Sequence, residues 1–145
     1  MANSPLKTLI RLADHEVDEK RRGLSALVER EENLLEQDAA QDRQLLHEQR
    51  TAAEDPTGAG ATYAGYHQHH MRRKAEIHRA VLAVRKEIEA ARQDLSESFR
   101  KQKSYQLAQD ARLRREQEEA DRKEQEFLDE VGQTQFRQRL DANGQ

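Results

Sequence analysis

The stretch Glu54-Asp55-Pro56-Thr57-Gly58-Ala59-Gly60-Ala61-Thr62 decides the fold. It holds one of the two prolines and two of the six glycines in a chain of 145 residues. Proline removes a helical hydrogen bond and glycine weakens a helix, so this is the one strong break in an otherwise helix-forming sequence. Working back from it, Leu6, Ile10, Ala13, Val17, Lys20, Leu24, Leu27, Glu31, Leu34, Asp38, Gln41 and Leu45 advance by alternating steps of four and three. That is the seam of a coiled coil with a minority of polar intrusions. Working forward, Ile77, Val81, Val84, Ile88, Ala91 and Leu95 repeat the pattern. It then resumes one position late at Phe99, Gln106, Leu113, Ala120 and Phe127. Such an offset marks a four-residue stutter, which unwinds a supercoil locally.

Asn3-Ser4-Pro5 supplies a capping side chain and then proline at the first helical position, where its missing N–H costs nothing. These signals predict a first helix over residues 5–53, a turn over 54–62 and a second helix over 63–131. Gly132 reads as a stop, leaving 132–145 as a frayed polar tail. At 1.5 Å per residue the helices would measure roughly 70 and 100 Å. A short turn makes them antiparallel neighbours. The expected fold is therefore all-α, a single long two-helix antiparallel coiled-coil hairpin whose second helix overhangs. Folding back at the turn pairs residues whose numbers sum to about 118, such as Leu24 with Leu95, Leu27 with Ala91 and Leu34 with Val84. Everything beyond about Leu113 then lacks a partner within the chain.

Composition agrees with this architecture and excludes several functions. Apolar residues make up 34% of the chain, too few for a conventional core. Ala, Glu, Lys, Leu and Arg together supply 77 residues, the bias of long helices and coiled coils. Charged residues reach 37% but the net charge is only −3, without the basic excess that phosphate-backbone binding needs. No apolar run approaches a membrane span, and the opening residues show no signal-peptide core, so a cytoplasmic protein is expected, peripheral to a membrane only through its partners. The chain has no cysteine and hence no thiol chemistry. Acidic residues dominate between Glu29 and Asp55, whereas Arg72, Arg73, Lys74 and Arg79 make the facing stretch basic. Opposite charges on the two flanks favour the hairpin over a parallel dimer, so a monomer is expected.

No catalytic or nucleotide-binding motif is present, and neither an enzyme nor a cofactor is indicated. His67, His69, His70 and His78 form the one cluster with metal-ligand chemistry; His67 and His70 share a helical face, but no carboxylate or cysteine completes a set. Surface histidines facing the acidic stretch are the simpler reading. Tyr63 and Tyr66 follow the turn, where they either staple it or present an aromatic tip. The doublets Leu27-Val28, Leu34-Leu35 and Leu45-Leu46 widen the first helix's stripe beyond a two-helix seam, and the excess is either seam edge or a ridge for a partner.

Several segments resemble the FliJ family of flagellar export proteins, notably its alphaproteobacterial form. They are Leu6-Lys7-Thr8-Leu9-Ile10-Arg11-Leu12, Val17-Asp18-Glu19-Lys20-Arg21-Arg22, Asp55-Pro56, Thr62-Tyr63-Ala64-Gly65-Tyr66 and Ala91-Arg92-Gln93-Asp94-Leu95-Ser96-Glu97-Ser98-Phe99-Arg100. The resemblance implies a non-enzymatic stalk or adaptor of the flagellar type III export apparatus, acting in flagellum biogenesis and motility from the cytoplasmic base of the apparatus. It implies contact with the export ATPase FliI, with the cytoplasmic part of the export gate FlhA, and with export chaperones whose cycling it assists. On that picture Leu6, Leu9, Ile10, Leu113 and Phe127 lie at the end that engages the ATPase ring, and Tyr63 and Tyr66 at the end that faces the gate. The alternatives are the equivalent stalk of a virulence-type secretion system and a generic coiled-coil adaptor or spacer.

Overall fold

A computed structural model describes residues 4–55 and 58–144. Two α-helices pack against each other as an antiparallel hairpin, α1 over Pro5–Glu54 and α2 over Ala59–Asn143. Ser4 caps α1, its Oγ accepting from the backbone N–H of Lys7 at 3.2 Å. α1 ends within a residue of the expected position. α2 starts four residues before Tyr63, so the connection shrinks to Asp55 through Gly58, with Pro56 and Thr57 outside the described residues. Asp55 Oδ1 accepts from the Gly58 N–H at 3.0 Å, a side-chain bond across the connection. Gly132 does not stop α2, and the segment expected to fray is helical through Asn143. A lone glycine in a helix costs only about 1 kcal/mol against alanine, which the turns on both sides of it outweigh.

By contacts the chain forms two compact units. One is Ala13–Arg100 and the other joins residues up to Leu12 with those from Lys101 onward. In the first unit every expected seam residue of α1 from Ala13 to Leu45 is buried or half-buried, as are all six from Ile77 to Leu95 on α2. The fully buried apolar side chains are Ala13, Val17, Ile77, Val81, Val84 and Ile88. Such a seam holds the helices because each side chain leaves water against the opposite stripe, at roughly 1.5–3 kcal/mol for a fully buried large aliphatic.

Cross-helix pairs fix the register. Glu31 meets Arg85, Asp38 meets His78, and Lys20 meets Asp94. Their numbers sum to about 115, three below the expected value and within one helical turn. The correction moves the partner of Leu34 from Val84 to Val81 and that of Leu27 from Ala91 to Ile88.

The predicted stutter after Leu95 is absent. Ser98 is buried, with its Oγ 3.4 Å from Glu16 Oε1, and half-buried positions continue in step at Gln102, Tyr105 and Gln109. Polar side chains occupy these layers, so the apolar periodicity points instead to Phe99, which is half-buried. That ring lies beside the seam, under the Arg21 guanidinium at 4.9 Å from its centroid. The irregularity in α2 falls instead at Tyr66, His70 and Lys74, two consecutive steps of four.

Candidate functional site

In the Ala13–Arg100 unit the acidic flank of α1 meets the basic flank of α2 around one residue. Lys74 Nζ donates to Asp42 Oδ1 at 2.6 Å and lies 3.8 Å from Asp38 Oδ1. His78 Nε2 sits 3.1 Å from the same Asp38 oxygen. Of the basic residues expected to face α1, Lys74 makes the cross-helix contact, whereas Arg73 turns to Glu76 on its own helix at 3.4 Å.

The hydrogen bond to Lys74 holds the Asp42 carboxyl below its ordinary pKa, and the same bond raises the Lys74 ammonium above its own. A depressed carboxylate stabilises the fold above its ordinary value of 3.8 and loses that contribution as pH falls through its folded value. A raised ammonium stabilises below 10.5 and loses it as pH rises through its folded value. Lys74→Met should therefore lower the melting temperature by a constant, small, salt-screened amount between those limits. The difference from the parent should vanish in acid; thermal melts from pH 2 to 8 in low and high salt check this.

The histidines divide. His70 is buried to 1% exposure, contrary to the surface position expected for it. His67 and His69 are exposed, and the His67 ring lies 5.9 Å from that of Tyr63. Among the described residues no three His, Asp or Glu side chains gather as a metal-ligand set. Tyr63 and Tyr66 are both half-buried, and the Tyr63 hydroxyl accepts from Gln49 Nε2 at 2.9 Å. Tyr63 thus ties the start of α2 to α1.

What the unit does present is apolar surface to one side of the seam. Met71, Ala75, His78 and Leu82 follow the seam residues His70, Lys74, Ile77 and Val81 by one position each, and all four are exposed. Leu35 and Leu82 line a groove with Asp38, His78, Val81 and Arg85. Met71 and Ala75 line its neighbour with Asp42, Leu45, Lys74 and His78, and His70 lies at its floor. Leu82 remains 60% exposed and Met71 52%. Of the doublets, Leu27 and Val28 are both half-buried, whereas Leu35 and Leu46 are exposed beside their half-buried neighbours. Met71 lies between His70 and Arg72, and Leu82 lies inside the run Ala80-Val81-Leu82-Ala83-Val84, so neither stands out in the sequence as part of a second face. Their spacing of four, three and four with Ala75 and His78 was the available signal.

In the other unit Leu6 and Ile10 are half-buried and Leu9 is exposed. From Arg112 to Gly144 every residue is exposed, including the candidates Leu113 and Phe127. Arg112 pairs with Glu116, Lys123 with Glu119 and Arg122 with Glu126, all at i,i+4. Gln117 Nε2 donates to Asp121 Oδ1 at 2.9 Å and Gln125 Nε2 to Asp129 Oδ1 at 3.1 Å. Such pairs contribute about 0.2–0.5 kcal/mol each and sustain a helix that has no packed face.

A helical hairpin with an exposed apolar ridge and a long uncovered helical segment falls in the class of proteins built for contact with other proteins, and among the described residues no helix is long and apolar enough to cross a membrane. The model of the family described as the flagellar FliJ protein matches residues 1–141, and the chain belongs to that family, whose members are non-catalytic components of the flagellar export apparatus. Among curated proteins and among solved structures nothing matches.

Proposed function

We propose that this protein is an adaptor that links parts of the flagellar export apparatus in the cytoplasm. It engages the export ATPase ring with the uncovered helix from Arg112 onward, aided by the exposed Leu9 near the start of α1. It contacts the cytoplasmic part of the export gate through the Met71–Leu82 ridge, and it assists the cycling of export chaperones. The observation that carries the ATPase contact is the run from Arg112 to Gly144, exposed at every position and helical through Asn143. A helix with no cover from its own chain is shaped to enter a cavity in another protein. The gate contact moves from the turn tyrosines to the ridge because Tyr63 is engaged with Gln49, whereas Met71 and Leu82 are free to be covered.

A pull-down of the purified full chain with the same organism's export ATPase and with the gate's cytoplasmic domain tests this. Both should be retained. Retention of neither would end the adaptor reading, and retention of one alone would leave the link between them without support.

A further inference from the structure

His70 is the most anomalous side chain in the hairpin. It is 1% exposed and neither ring nitrogen has a hydrogen-bond partner. The closest charged oxygen, Asp42 Oδ1, lies 4.0 Å from Nε2, beyond hydrogen-bond range. That oxygen is already held by Lys74 at 2.6 Å. A polar residue in a coiled-coil seam is often retained because it locks register through a bond to the opposite helix. His70 makes no such bond, so it withdraws stability from its layer without specifying a partner.

Two further observations fall at the same place. The steps from Tyr66 to His70 and from His70 to Lys74 are both four residues, the spacing that interrupts a heptad pattern and favours local unwinding. Full burial is also one-sided. Ile77, Val81, Val84 and Ile88 lie on the side away from the turn. On the turn side, among the described residues, the side chains of 41–55 and 62–69 are half-buried or exposed. That end is held by half-buried side chains such as Leu45 and Tyr66, by the bond from Gln49 to Tyr63 and by the bond from Lys74 to Asp42. The charged and titratable groups beside the layer are Asp42 from α1 and Lys74 and His78 from α2, which line one groove with His70, and Asp38, which pairs with Lys74 and His78.

We propose that the His70 layer is a built-in weak point at which the turn-proximal end of the hairpin, residues 41–52 and 63–74, opens while the layers from Ile77 onward stay closed. An unsatisfied buried polar group shifts a local opening equilibrium by roughly 5- to 150-fold. Opening there relieves that cost, because water solvates the imidazole. The opening belongs to the low-stability end of the native ensemble, which is where binding segments are drawn from.

Amide hydrogen exchange on the full chain and its His70→Leu variant tests this. The variant should fold, and its amides in 41–52 and 63–74 should exchange about tenfold or more slowly, while those in 17–31 and 81–98 change little. Unchanged or faster exchange near the turn would overturn the proposal. So would slowing of equal size along the whole unit, because opening would then be global. Failure of His70→Leu to fold would overturn it as well, since an apolar side chain should strengthen this layer.

Discussion

A chain ending at Arg112 is expected to melt at nearly the temperature of the full protein and yet to bind the export ATPase at least about tenfold more weakly, a loss of ~1.4 kcal/mol or more. The residues removed are exposed at every described position, so no intramolecular packing goes with them. What disappears is helix supported by its own i,i+4 pairs, such as Lys123 with Glu119, and by nothing in the seam. The side chains lost include Leu113, Phe127, Leu128 and Val131, the apolar anchors that a binding partner would cover. Cells carrying the truncated protein should swim poorly. Undiminished ATPase binding and full motility would remove this segment from the ATPase contact. A large fall in melting temperature would show instead that it contributes to the hairpin.

The second large effect should come from Met71→Ala combined with Leu82→Ala. Both side chains are more than half exposed, so the folding cost is small, and alanine's helix propensity offsets part of it. Binding to the gate's cytoplasmic domain should fall by tenfold or more, because truncating an interface anchor costs more than 1 kcal/mol where the contact is central. Isothermal titration with the gate domain, beside thermal melts of the same preparations, separates the two effects. Wild-type affinity in the double variant would place the gate contact elsewhere on the protein.

These two predictions differ in how far each could be anticipated. The uncovered segment was legible because a first helix of about fifty residues cannot accompany a much longer second one, whatever the register. The ridge was not. Met71 looks like an isolated apolar residue, and Leu82 like one more member of the run from Ala80 to Val84, until His70, Lys74, Ile77 and Val81 are known to be the seam, and only then does the next position along become one face. His47, His67, His69, His70 and His78 are alike as letters, yet His70 alone is buried.

Periodicity by itself determined the two helices, their antiparallel order around a break near Asp55 and Gly58, the α1 seam from Ala13 to Leu45, and where the part of α2 without a partner begins; that its helix continues past Gly132 to Asn143 was not among these. Apolar side chains at alternating steps of four and three have one way to leave water, and a single break lets two such stripes meet. Tertiary structure decided whatever depended on which residues face each other. That includes the register near 115, the continuation of the seam through Ser98 and Gln102 in place of Phe99, the pairing of Lys74 with Asp42, and the burial of His70. Exposed ion pairs contribute too little to announce a register in advance. A polar side chain shows whether it faces water or the seam only once the opposite helix is in place.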